Sequence, residues 1–200
     1  MKKLLLTGFL PFLGESINPS QQLIESLTLD DQAWVDTLLL PVSFKAAPET
    51  LFQHLSQKNY KSVVMLGQAG GRSCISLEKV ALNWVETNHP DENGYTPKMW
   101  LIDPTADKAF FSEWPLQELE KNLKAKNIPV EISFSAGTFV CNYLYFRTAA
   151  ELALMKRSCL LIHFPYLPEQ TVNKKGTPSM EFSVMQKGLQ EILQFLKLNS

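Results

Sequence analysis

The stretch Ser158-Cys159-Leu160-Leu161-Ile162-His163-Phe164-Pro165 is a short, almost continuously apolar run that closes on a proline. Such a run is what a strand buried on both faces requires, and the proline marks where the ladder stops. His163 therefore falls at the exit of a buried strand. Upstream, residues 142–155 carry few charges and read as a well-buried helix. Just before them, Gly137-Thr138-Phe139-Val140-Cys141-Asn142 sets a cysteine where a tight loop feeds that helix. A helix leading directly into a buried strand is the repeating unit of α/β proteins.

The rest of the chain follows the same alternation. Strand-like runs at 3–7, 34–42, 62–67 and 130–134 are separated by helical patterns. The first helix is expected to start with Asn18 as N-cap and Pro19 in its first position, burying Leu23, Ile24 and Leu27. Further helices are expected over 48–56 and 116–126. The last, beyond Thr177-Pro178, lines up Met185, Leu189, Ile192, Leu193 and Leu196 on one face. Residues 75–83 read as one extended segment with Glu78 near its middle. Residues 87–114, polar and rich in Pro and Asn, read as a surface or interface excursion, with Trp100, Phe110, Phe111 and Trp114 available to a neighbouring subunit. The expected fold is α/β, a single-domain α/β/α sandwich over residues 1–200 with a mostly parallel, mixed central sheet.

Composition narrows the possible functions. Two hundred residues at 45% apolar content fill one substantial core. Nineteen basic and twenty acidic residues leave a net charge of −1 without a basic cluster, which argues against a nucleic-acid partner. Met1-Lys2-Lys3-Leu4-Leu5-Leu6 imitates a signal peptide, but Thr7-Gly8 and Pro11 interrupt it at once, so a first buried strand is the better reading. No segment has the length of apolar sequence a membrane span needs. Cys74, Cys141 and Cys159 have neither disulfide nor zinc spacing and suit a reducing cytoplasm.

The candidate chemistry centres on Cys141. A helix start offers unpaired N–H groups and partial positive charge, which are expected to lower a thiol's pKa. Cys159, inside the strand run, reads as core, and Cys74 has no evident base. Of three histidines, His54 and His89 read as surface residues. His163 lies at a strand's carboxyl end, where ligands gather in open α/β sheets, although a histidine satisfied inside the core fits the same pattern. Glu78, flanked by Leu77 and Val80-Ala81-Leu82, needs a partner; it either orients the imidazole or pairs with Arg72 or Lys79. Gly67-Gln68-Ala69-Gly70-Gly71-Arg72 either cradles a phosphate or makes a tight turn beside a cleft; it lacks the P-loop and dinucleotide spacings. Phe9 and Phe12 belong either to the core or to an apolar slot for a flat ligand.

These segments together resemble the pyroglutamyl peptidase I (pyrrolidone-carboxylate peptidase) family of cysteine peptidases over nearly the whole chain. The carriers are Thr7-Gly8-Phe9 with Pro11-Phe12 and Asn18-Pro19-Ser20, the glycine-rich stretch ending in Arg72, and Glu78-Lys79-Val80-Ala81-Leu82-Asn83. Ser135 to Asn142 and His163-Phe164-Pro165-Tyr166-Leu167-Pro168-Glu169-Gln170 complete the set. Spacings of 63 residues from Glu78 to Cys141 and 22 from Cys141 to His163 accompany the motifs.

The resemblance implies that Cys141 is the nucleophile, His163 the acid/base and Glu78 the orienting group. It implies that Phe9, Phe12, Gln68, Phe139 and Val140 form the pocket for the lactam ring of an N-terminal pyroglutamate. Such a ring carries no ammonium charge, so a flat apolar slot with amide partners suffices. No metal or organic cofactor is implied; peptide substrates and a homo-oligomer are. Two positions depart from the family's Gly-Phe-Glu/Asp-Pro-Phe-Gly-Gly pattern: Leu10 replaces the acid and Leu13 the first glycine. Leu13 lacks glycine's backbone freedom, so the pocket loop is where a difference in shape is expected. Two other readings are a catalytically silent peptide-binding homologue and a nucleoside phosphorylase-like or hydrolase-like enzyme that would use the glycine-rich loop for phosphate.

Overall fold

The computed structural model describes residues 3–199. Strand β1 (Lys3–Phe9) leads through helices α1 (Pro19–Glu25) and α2 (Leu29–Gln32) to β2 (Val35–Leu40), then α3 (Ala46–Gln57) and β3 (Tyr60–Gln68). β4 (Ile75–Glu78) and β5 (Val80–Leu82) follow almost without a break. A long excursion then reaches β6 (Ala109–Phe111), α4 (Leu116–Ala125) and β7 (Val130–Ser133). Helix α5 (Val140–Leu154), β8 (Ser158–Phe164), α6 (Pro168–Thr171) and α7 (Phe182–Leu198) complete the order.

Six strands form the main sheet in the order β2-β1-β3-β8-β4-β7. Neighbours are parallel except at β4 and β8, which run in opposite directions. The expected mostly parallel, mixed α/β sheet is therefore present. Alternation along the strands divides the core into two layers. Leu4, Leu6, Val64, Leu66, Leu160 and Ile162 pack under Leu23 of α1, Leu119 and Leu123 of α4 and Leu189 and Ile192 of α7. Leu5, Val63, Met65 and Leu161 pack under Leu51 of α3 and Leu144 and Phe146 of α5. Covering both faces explains why the central strands are apolar throughout. Each fully buried Leu or Ile contributes about 1.5–3 kcal/mol of transfer free energy.

The first helix has the predicted cap: Asn18 accepts a hydrogen bond from the Ser20 N–H at 2.9 Å, and Pro19 occupies the first turn. Elsewhere the structure corrects the reading. The extended stretch 75–83 breaks at Lys79, whose N–H bonds Ser133 O at 2.7 Å. β5 then leaves the main sheet to pair antiparallel with β6, so Glu78 ends β4 instead of lying mid-strand. The excursion 87–114 folds back onto the body. Asp91 is buried and accepts backbone N–H bonds from Phe44, Asn93 and Tyr95, and Trp114 lies in the core. Trp114 is thus unavailable to a subunit interface, whereas Phe111 remains 64% exposed. His54 is also no free surface residue, because its Nε2 lies 2.7 Å from the Tyr60 hydroxyl. The short helices α2 and α6 carry too little periodic pattern to be read from sequence.

Candidate active site

The carboxyl ends of β3 and β8 lie side by side, with Gly67 opposite His163 in the ladder. Helix α5 begins against this edge. It starts at Val140, two residues earlier than expected, so Cys141 lies within its first turn. A Cβ built on Gly67 would come within 2.8 Å of His163 Cδ2, 3.0 Å of His163 Nε2 and 3.4 Å of Cys141 Sγ. The thiol and the imidazole nitrogen therefore converge on the space above Gly67, and that space exists because residue 67 has no side chain.

Glu78 reaches the same ring from the other side. Running antiparallel to β8, β4 pairs Glu78 with Leu161, which points the carboxylate to the face shared by Leu161 and His163. Its Oε1 lies 2.7 Å from His163 Nδ1. A carboxylate accepts and does not donate, so Nδ1 is the donor of this contact, and Nε2 is the nitrogen on the Cys141 side. Glu78 is fully buried. A carboxylate so placed needs compensation, and Arg72 supplies it: Nη1 donates to the same Oε1 at 2.6 Å and Nη2 to Ser135 O at 2.8 Å. Glu78 thus contacts both the imidazole and Arg72.

The glycine-rich stretch makes this possible. Gly71 adopts φ +87°, a left-handed conformation, and turns the chain so that Arg72 points back into the site. Among the described residues, its visible service is to deliver a guanidinium.

The electrostatics of Cys141 differ from expectation. The Cys141 thiol is pushed up to about 12, chiefly by burial and then by the Glu78 charge; Arg72 and the residue's own amide pull the other way but less strongly. The helix start does not outweigh desolvation here. Burial therefore favours the protonated thiol. The N-cap, Phe139, makes no side-chain capping bond, which leaves the first-turn N–H groups uncapped by a side chain. Cys159 is buried, as read from its strand, and Cys74 is half-buried.

The pocket candidates divide. Phe9 and Val140 are buried, while Phe12 and Phe139 are half-buried, all on the α5 side of the sheet. Gln68 behaves differently. Its side chain goes to the opposite face, where Gln170 Nε2 donates to Gln68 Oε1 at 2.9 Å, so at the site it offers backbone. Phe139 packs edge-on against Phe44 at 5.3 Å, and beyond Phe44 opens a cavity of about 730 Å³ walled by Phe52, Tyr95, Trp100 and Arg147. None of Glu78, Cys141 and His163 lines it.

The loop with the two departures keeps a glycine-like shape. Leu13 takes φ +52° and Gly14 φ +75°. The Leu13 N–H donates to Glu92 Oε1 at 2.9 Å, which helps hold a backbone conformation that a leucine disfavours. Leu10 and Leu13 both point to solvent.

Two contributors were not legible as site residues. Asn142, fully buried, accepts from Leu82 N–H and donates to Leu82 O and Trp84 O, clamping the start of α5 to β5. The Tyr145 hydroxyl donates to Glu78 O at 3.0 Å. A polar residue directly after the cysteine in an apolar helix was the available signal for the first; a tyrosine among aromatics offers none. Among the described residues, no group of three or more His, Cys, Asp or Glu is placed to hold a metal ion, and no helix is long and apolar enough to cross a membrane.

A thiol, an imidazole and a buried carboxylate gathered at the carboxyl edge of an α/β sheet are the makings of a cysteine-type hydrolase. The family model described as pyroglutamyl peptidase matches residues 2–195, and the chain belongs to that family. It is 36% identical over 197 residues to pyrrolidone-carboxylate peptidase 1 of Caldanaerobacter subterraneus subsp. tengcongensis, covering 97% of both chains. It is 39% identical over 199 residues to the pyrrolidone-carboxylate peptidase of Gloeobacter violaceus, covering 98% of this chain and 97% of that one. The crystal structure of pyrrolidone carboxyl peptidase from Fervidobacterium islandicum superposes with a TM-score of 0.91 at 32% identity, over 98% of this chain and 99% of that one. Bacillus amyloliquefaciens pyroglutamyl peptidase I gives 0.89 at 32% identity, over 96% and 94%.

Proposed function

We propose that this chain removes an N-terminal pyroglutamyl residue from peptides, with Cys141 as nucleophile, His163 as acid/base and Glu78 orienting the imidazole. The observation that carries the reading is the convergence of Cys141 Sγ and His163 Nε2 above Gly67 while Glu78 holds Nδ1. His163 Nε2 takes the thiol proton as sulfur attacks the pyroglutamyl carbonyl. The oxyanion is held by N–H groups of the first turn of α5. The imidazolium then gives its proton to the departing amine, leaving a pyroglutamyl thioester. Water, deprotonated by the same nitrogen, hydrolyses the thioester and restores the thiol.

Phe9, Phe12, Phe139 and Val140 form the apolar slot for the lactam ring, and the backbone at Gln68 supplies polar partners. No metal or cofactor enters these steps. The glycine-like course of Leu13 supports a working pocket over the silent-homologue reading. The setting we infer is a reducing cytoplasm, consistent with three free cysteines, and a homo-oligomer using exposed apolar residues such as Phe111 and Phe134. Light scattering on the purified protein tests the assembly.

The decisive experiment is release of a fluorogenic amine from an L-pyroglutamyl amide, with the uncyclised glutamyl amide as control. Thiol-dependent cleavage of the lactam substrate alone is expected. Cleavage of both amides, or of neither by folded protein, overturns the assignment.

A further inference from the structure

We propose that Arg72 is a positioning residue of this site, fixing Glu78 and the loop before the nucleophile with one guanidinium and offsetting the carboxylate charge that would otherwise oppose a thiolate. The inference rests on the cysteine mechanism proposed above and deepens it. One Arg72 nitrogen bonds Glu78 Oε1 and the other bonds Ser135 O, so a single planar group sets the distance between the end of β4 and the loop that enters α5. The fork is rigid, and only 24% of the Arg72 side chain is exposed.

The charge argument is independent of the geometry. Moving a proton from Cys141 to His163 creates an anion at sulfur close to the buried anion Glu78, whose Oε2 has no hydrogen-bond partner among the described residues. Glu78 favours the imidazolium it touches but disfavours the thiolate, and Arg72 works against that second effect. Without Arg72, Glu78 either takes up a proton and stops accepting from Nδ1, or stays charged and repels the thiolate. Either way the proton transfer becomes harder. Lys79 cannot substitute: its Nζ is bound to Ser112 O at 2.5 Å.

The test reads Cys141 directly, by mass spectrometry of its iodoacetamide adduct at pH 8, alongside kcat and KM on the pyroglutamyl amide. In Arg72→Gln the alkylation rate is expected to fall about tenfold, because reactivity follows the thiolate fraction. The same variant is expected to lose roughly 10²-fold in kcat with KM changed less than about threefold. Arg72→Lys, which keeps the charge and loses the fork, should alkylate at nearly the wild-type rate yet recover kcat only in part. If Arg72→Gln does not fold, Arg72→Lys decides alone: partial recovery of kcat supports the fork, and a kcat equal to wild type overturns it. Equal alkylation rates in wild type, Arg72→Gln and Arg72→Lys overturn the proposal. Because alkylation needs no substrate, these outcomes are separate from a wild type that fails to cleave the pyroglutamyl amide.

Discussion

His163 and Glu78 meet across the antiparallel junction of the six-stranded sheet, Nδ1 to Oε1 at 2.7 Å. The antiparallel register sets Glu78 opposite Leu161, two residues before His163 and on the same face. In the proposed mechanism this contact fixes the tautomer whose Nε2 accepts the thiol proton. Glu78→Gln can present an amide N–H to Nδ1 and favour the wrong tautomer, so kcat should fall by about 10² to 10⁴-fold. Steady-state kinetics checks this; a loss seen in KM alone would contradict the orienting role.

Cys141→Ala removes the proposed nucleophile and little volume. Turnover should drop by at least about 10³-fold, with stability within about 1 kcal/mol of wild type. Cleavage assays paired with thermal melts decide it, and normal turnover would rule out the cysteine mechanism.

Gly67→Ala tests the empty space in the site. The new methyl group would lie 2.8 Å from the His163 ring and 3.4 Å from Cys141 Sγ, so the imidazole has to shift. A loss of about 10 to 10²-fold in kcat is expected from that misplacement. Activity equal to wild type would mean that the imidazole moves aside without consequence.

Leu13 and Glu92 can be tried together. Leu13→Gly removes a left-handed strain of about 1–2 kcal/mol but adds unfolded-state freedom of about 0.4–1 kcal/mol, so melting should be unchanged or slightly raised. Glu92→Ala leaves the Leu13 N–H without its acceptor. Losing one such bond is expected to raise KM by about 2 to 12-fold with kcat nearly unchanged. An unaltered KM would separate this loop from substrate binding.

Stability should have an alkaline limit. Burial raises Cys141 and Cys159 from 9.0 to about 12, and Tyr145 is raised by burial as well. Between those values the unfolded chain has released protons that the fold still holds, so stability falls as pH rises. The contribution is complete below about pH 9 and is lost toward pH 12. Thermal melts under reducing conditions, scanned over that interval, read it directly; a rise in melting temperature there would reverse the sign.

Much of this arrangement was legible because it rests on periodicity and end signals. Runs such as 158–163 can only be strands covered on both faces, and Asn18-Pro19 can hardly be other than a helix start. What escaped was set by contacts between distant segments. The break at Lys79 depends on β6, some thirty residues away, accepting β5 as a partner. The first turn of α5 extends back to Val140, and no side-chain cap marks that start. The burial that pushes the thiol up is not legible, because a helix end is visible in sequence whereas the degree of burial around Sγ is not. Arg72 is legible in the sequence as a partner for Glu78, whereas its second contact, with Ser135, is set by the turn at Gly71.

The Asn142 clamp has a consequence for how the molecule comes into being. Leu82 and Trp84 leave the ribosome long before Asn142 does, and they must wait for it before the nucleophile's helix has its anchor. His163 is made later still. The anchor of α5 therefore closes only after segments 60 residues apart have both been made. The Leu82 N–H, bonded to the Asn142 side chain at 2.9 Å, is the amide whose hydrogen exchange would time this step.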